Sequence, residues 1–202
     1  MNSMRRFCQI AIIAFALIAF VGCQQKSKGG ACHIKGTTDE TLEGKKMYLV
    51  PLIGPATDET VDSTVVINRK FEFFTDSNKM AIIRPAYYDR AFSQDLLVVT
   101  EPGEIEVSID TVSSSRGTPN NNRLQQWKED TEKQNALYVK LLKEAGRKLK
   151  AGDSVARQRL RQTADSVHNE YVTMTRAMAD SLDEGPLKRF FLSLYPKKSP
   201  KK

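Results

Sequence analysis

Near residue 117 the spacing of apolar side chains changes from two residues to three or four, dividing the chain into a sheet-forming and a helix-forming part. On the N-terminal side, Ile105, Val107 and Ile109 alternate with Glu104, Glu106, Ser108 and Asp110. That is the pattern of a strand with one wet face. Further short apolar or β-branched runs lie at 31–36, 45–53, 61–67, 71–74, 80–84 and 95–100. Glu101-Pro102-Gly103-Glu104 separates the last two strands. It suits a type II turn, because Pro presets one φ and Gly accepts a positive one. Strands with short turn signals predict an antiparallel sandwich or meander over residues 31–117.

On the C-terminal side, Leu124, Trp127, Thr131, Tyr138, Leu141, Leu142, Ala145 and Leu149 form one stripe. Leu160, Ala164, Val167, Tyr171, Met174, Met178 and Leu182 form a second. Steps of three and four put such side chains on one face of a helix. Gly152 suits the end of the first helix and Asp153 the N-cap of the next. The spacing predicts an antiparallel hairpin with arms of about 25 residues. A short third helix opens at Pro186, after Gly185. The expected class is therefore α+β: a sheet domain at 31–117, then a helical region at 118–195. A basic tail at 196–202 is expected to be disordered.

The first 22 residues read as an address. Arg5 and Arg6 precede an unbroken apolar run at 10–21, followed by Gly22 and Cys23. This is the order of a secretory signal peptide, and the run is too short to span a bilayer. Phe20-Val21-Gly22-Cys23 resembles the bacterial lipobox. That resemblance implies cleavage between Gly22 and Cys23, acylation of Cys23 and attachment to lipid without a spanning helix. Residues 23–30 then act as a polar tether. Lys26 and Lys28 stand where an acidic export signal would be negative, which favours a periplasm-facing position in the cell envelope, at the inner leaflet of the outer membrane rather more than at the inner membrane.

The chain carries 31 Lys+Arg against 24 Asp+Glu. Residues 118–202 hold 18 basic and 10 acidic side chains, so the helical part carries the excess. Interspersed acids suit a solvated face, and export leaves no nucleic acid to bind. Three Cys are too few for a disulfide scaffold, and two His without clustered Cys form no zinc site. No cofactor is expected.

Several blocks follow a familiar order. They are Ile34-Lys35-Gly36, Met47-Tyr48-Leu49, residues 61–66, residues 68–73, residues 99–105 and residues 116–121. Together they resemble domain of unknown function 4369, the β-domain that stands at the start of many lipoproteins, often before a thioredoxin-like module. Two departures matter. Arg69 occupies a turn position where relatives carry Gly, and Gly takes positive φ more cheaply. No Cys-x-x-Cys occurs, so the redox chemistry of longer relatives does not carry over.

The chemical candidates are few. Cys32 and His33 are the one adjacent thiol–imidazole pair, but neighbouring strand residues point to opposite faces. After acylation of Cys23, Cys32 would be the one free thiol, buried or paired between chains. Asp58, Glu59 and Asp62 form an acidic cluster that reads more simply as a solvated loop. Arg84, Tyr87, Tyr88 and Arg90 gather cations and aromatics in a loop. They form a candidate grip for an acidic or sugar-like partner. His168 follows Val167 on the second helix and reads as a solvated or flanking residue. These observations point to a non-catalytic, lipid-anchored binding or scaffolding protein. Its expected partners are the bilayer, through acylated Cys23, and an unknown envelope protein or ligand. The alternative is an accessory protein of thiol–disulfide systems, using Cys32 or a partner's thiols.

Overall fold

The computed structural model describes residues 31–85, 95–110 and 112–196. These form eight strands and three helices, an α+β arrangement. The strands are β1 (Cys32–Thr38), β2 (Lys46–Pro51), β3 (Asp62–Val65), β4 (Lys70–Thr75), β5 (Lys79–Arg84), β6 (Leu96–Thr100), β7 (Gly103–Ile109) and β8 (Ser114–Arg116). They make two four-stranded sheets, ordered β4-β1-β7-β8 and β3-β2-β5-β6. The inner faces meet over Cys32, Ile34, Phe71, Phe73, Ile105 and Val107 from one sheet, and Met47, Leu49, Ala81, Ile83, Leu96 and Val98 from the other. The alternation in β1, β4 and β7 is what aims one side chain in two at this core.

The sandwich is not a simple meander. Strand β1 lies at the centre of its sheet, antiparallel to β4 and parallel to β7. Gly36 sits opposite Phe71, whose ring occupies the space a Cβ at residue 36 would need (Cζ 2.0 Å away). Between β3 and β4 the chain changes sheets through a tight turn. Asn68 and Arg69 are both left-handed there (φ 54° and 60°). The carboxylate of Glu43 accepts both their backbone N–H groups, at 2.9 and 2.7 Å. Arg69 Nε also donates to the Thr38 carbonyl, at 3.2 Å. These bonds offset the strain that Arg introduces at this position. Gly103 has φ 122°, as the turn signal required, but Pro102 and Gly103 carry the chain between sheets rather than round a hairpin.

The helices are α1 (Pro119–Lys150), α2 (Ser154–Asp180) and α3 (Pro186–Leu194). Gly152 turns the chain at φ 77°, and Asp153 accepts the Ala156 N–H at 3.0 Å. Helices α1 and α2 pack as a hairpin, and α3 folds back over its base. Leu142 and Leu149, expected in the seam, lie outside it at 37% and 54% exposure. Consecutive residues are about 100° apart on a helix, so one seam cannot hold both Leu141 and Leu142.

The opening turns of α1 join hairpin to sandwich. Glu101, at the end of β6, accepts the Asn120 N–H at 2.9 Å and so caps the helix. The buried Asn121 amide pairs with the edge of β6, accepting from Val99 N (3.0 Å) and donating to Val99 O (2.8 Å). One turn later Gln125 accepts the Ser115 N–H of β8 at 3.1 Å. Two strand edges are thereby closed by helix side chains. A second apolar cluster, Met80, Val99, Leu124, Ala179, Leu187 and Phe191, fills the space beneath. No helix among the described residues is long and apolar enough to cross a membrane.

Candidate functional site

The residues singled out from the sequence do not assemble into one site. Gly22, Cys23, Tyr87, Tyr88 and Arg90 lie outside the described residues. Arg84 is not on an exposed surface: it is 5% exposed, with Nη1 3.8 Å from Asp95. It is therefore buried on the side of β5 opposite Ile83 rather than displayed in a surface grip. Cys32 is 1% exposed inside the sandwich. Burial raises its thiol above the ordinary 9.0, and the nearby Glu101 charge pushes the same way. At neutral pH it is a protonated core residue rather than a nucleophile.

His33 points to the opposite face, as strand geometry requires. It stacks on Phe74 (centroids 4.2 Å) and pairs with Glu72 at 3.2 Å. On the same outer face Lys35 lies 2.5 Å from Glu104, and Arg116 pairs with Glu129 of the first helix at 2.6 Å. The acidic loop is likewise satisfied from within, Glu59 accepting the Thr57 hydroxyl at 2.5 Å. Among the described residues no three His, Cys, Asp or Glu gather as a metal site.

The outer sheet face also carries an open, charged cleft of about 530 Å³, lined by Lys35, Lys70, Glu72, Glu106 and Arg116 among others. A second cleft, walled by aromatic rings, lies on the helical arm. A cleft of about 380 Å³ opens between α1, α2 and the residue after α3. Its volume is within the range of small-molecule sites. Hairpin geometry builds it: residues at similar distances from Gly152 lie at similar heights on the two arms, so Tyr138 comes near His168 and Thr131 near Tyr171. Tyr195 reaches back alongside. The rings run in a chain, Tyr138 to His168 (6.2 Å), His168 to Tyr195 (6.2 Å), and Tyr195 to Tyr171 (5.7 Å). Thr131 Oγ1 donates to Tyr171 Oη at 3.3 Å. The Tyr195 hydroxyl is held above its ordinary value by burial and by the adjoining Tyr171, so it remains a donor at neutral pH.

Polar groups complete the wall. Gln134 and Asn135 line the cleft, and Gln134 Oε1 is buried without a hydrogen-bond partner. A buried acceptor left unmatched is costly, and a ligand donor would relieve it. Among the described residues no Asp, Glu, Lys or Arg lines the cleft. His168 is exposed beside the buried Val167, as a solvated or flanking position would be, and its ring also borders the cleft. Part of the signal was present: the turn at Gly152 puts Tyr138 and His168, 14 and 16 residues from it, at similar heights. The reach of Tyr195 had no such signal, because it depends on how α3 folds back.

Residues 32–124 match the family model described as Domain of unknown function (DUF4369). That span covers the sandwich and the opening of α1 as far as Leu124, which includes Asn121 at the edge of β6. No curated protein and no solved structure matches the chain.

Proposed function

We propose, from the premise that residues 32–124 are a DUF4369 domain, that this protein is a lipid-anchored, non-catalytic binding protein of the cell envelope. The signal-like segment and Cys23 support the anchor. The cleft of Tyr138, His168, Tyr171 and Tyr195 is the observation that carries the binding role. Its chemistry selects a neutral, hydroxyl-rich ring. Aromatic walls take the C–H face of such a ligand, while Gln134, Asn135 and the Tyr hydroxyls exchange hydrogen bonds with its rim. A charged ligand would meet no opposite charge from the lining.

The redox-accessory alternative loses its local support, since Cys32 is sealed in the core. Two experiments test the proposal. Cys23→Ser abolishes acylation by intact mass and releases the protein from membrane fractions. Titration of the full chain with neutral oligosaccharides, followed by NMR, shifts the His168 ring signals, and Tyr138→Ala weakens that binding at least tenfold. A Cys23→Ser protein that keeps its lipid mass would overturn the anchor. His168 signals that stay fixed across the oligosaccharides would overturn the assigned ligand class.

A further inference from the structure

The hairpin end carries charge and apolar surface that neither the fold nor the cleft uses. Residues 137–162 hold eight basic side chains and two acidic ones, a net +6 against +7 for the whole sequence. The same segment exposes Leu137, Val139, Leu142, Leu149 and Val155, the last two at 54% and 61%. Val139, Leu142, Gly146 and Leu149 follow one another by three, four and three residues, so they share one side of α1. The intramolecular seam uses a different side, through Ala145, Ala164 and Val167.

This surface stands clear of the sandwich. Helix α1 touches the sheets through Asn121, Leu124, Gln125 and Lys128, all within its opening turns. It passes Val99, then Leu97, running antiparallel to β6. Strands of five to seven residues span about 16–23 Å, whereas a 32-residue helix spans about 48 Å. The distal half of α1 therefore has no described strand beside it.

We propose that this hairpin end docks on a bilayer containing anionic phospholipid. Aliphatic side chains interleaved with Lys and Arg are the composition of an interfacial helix. Long basic side chains let their methylenes follow the aliphatic side chains into the headgroup layer while their charges meet phosphate. Two copies of this surface would repel each other, because Lys140, Lys143, Arg147 and Lys150 flank the stripe. An anionic surface is the complementary occupant. The docking is independent of acylation at Cys23 and of ligand in the cleft.

The full chain, immobilised through an N-terminal biotin so that its apolar leader faces the support, is exposed to vesicles of phosphatidylcholine with or without 30% phosphatidylglycerol. Capture of the anionic vesicles at least tenfold above neutral ones is expected, falling with salt. The triple variant Lys143→Glu, Arg147→Glu, Lys150→Glu loses that preference. Leu149→Ser with Val155→Ser lowers capture severalfold without changing the salt dependence. All these positions are away from the seam, and circular dichroism checks that each variant remains helical. Equal capture of both vesicle types, or undiminished capture by the triple variant, overturns the proposal. So does binding of polyglutamate or duplex DNA in the absence of any vesicle capture, since either would assign the charge to another partner.

Discussion

Glu43 does its work through two backbone groups. It accepts the N–H of Asn68 and of Arg69, the two left-handed residues at the crossing between sheets. Glu43→Ala should cost about 1–2 kcal/mol, toward the lower end because the site is exposed, read as a lowered denaturant midpoint. Arg69→Gly in that background should recover part of the loss, since Gly takes the turn without strain. The misfit of Arg69 was legible from the sequence. Its remedy was not, because Glu43 lies 25 residues away from Asn68 and only the fold brings them together.

Cys32 gives a second residue-scale prediction, through pH. Folding raises its thiol above the ordinary 9.0, so the unfolded chain loses that proton first as pH rises. Its contribution is therefore intact below pH 9 and lost above it. Tyr195 acts in the same sense above its ordinary 10.0. The melting temperature should fall on the alkaline side, and Cys32→Ala should flatten the earlier part of that fall. Peptide mapping after iodoacetamide treatment should find Cys32 unmodified in the native protein and modified after denaturation.

At the scale of elements, the junction between β6 and α1 decides whether the two parts hold together. Asn121 replaces a missing neighbouring strand at Val99. Asn121→Ala would leave a buried N–H and a buried C=O without partners, at about 2–4 kcal/mol. Asn121→Asp should be no better, because a carboxylate cannot donate to the Val99 carbonyl. If either variant melts like the parent chain, the edge is closed by something else. Strand and helix types were readable here from period alone, as Ile105, Val107 and Ile109 show against Leu160, Ala164 and Val167. The pairing of β1 with β7 was not, since register and neighbour choice depend on which faces meet rather than on local alternation. Strand β8 escaped notice because Ser114–Arg116 has no apolar residue to mark it.

On the scale of the whole molecule, two regions differ in how they are held. Residues 120–128 are tied to strands, while the hairpin end rests on one helix–helix seam of small side chains. Amide exchange should be faster across 137–162 than across 120–128. Ala164→Leu, at a fully buried seam position, should widen that gap and cost about 1–3 kcal/mol while leaving the sandwich strands protected. The cleft follows the same logic. The turn at Gly152 brings its facing residues to similar heights, but its third wall, Tyr195, exists only because α3 returns to the base.

The central place of β1 has a mechanical corollary. Residue 31 leaves the sandwich where Gly103 begins β7, the same end at which α1 starts, so the hairpin extends toward the opposite pole. Any load entering through the N-terminus reaches β1 first and acts along its length. Hydrogen bonds to β4 on one flank and β7 on the other then bear that load together in shear. A strand at the margin would instead peel away bond by bond, so a protein pulled between its two poles is gripped at its most resistant strand.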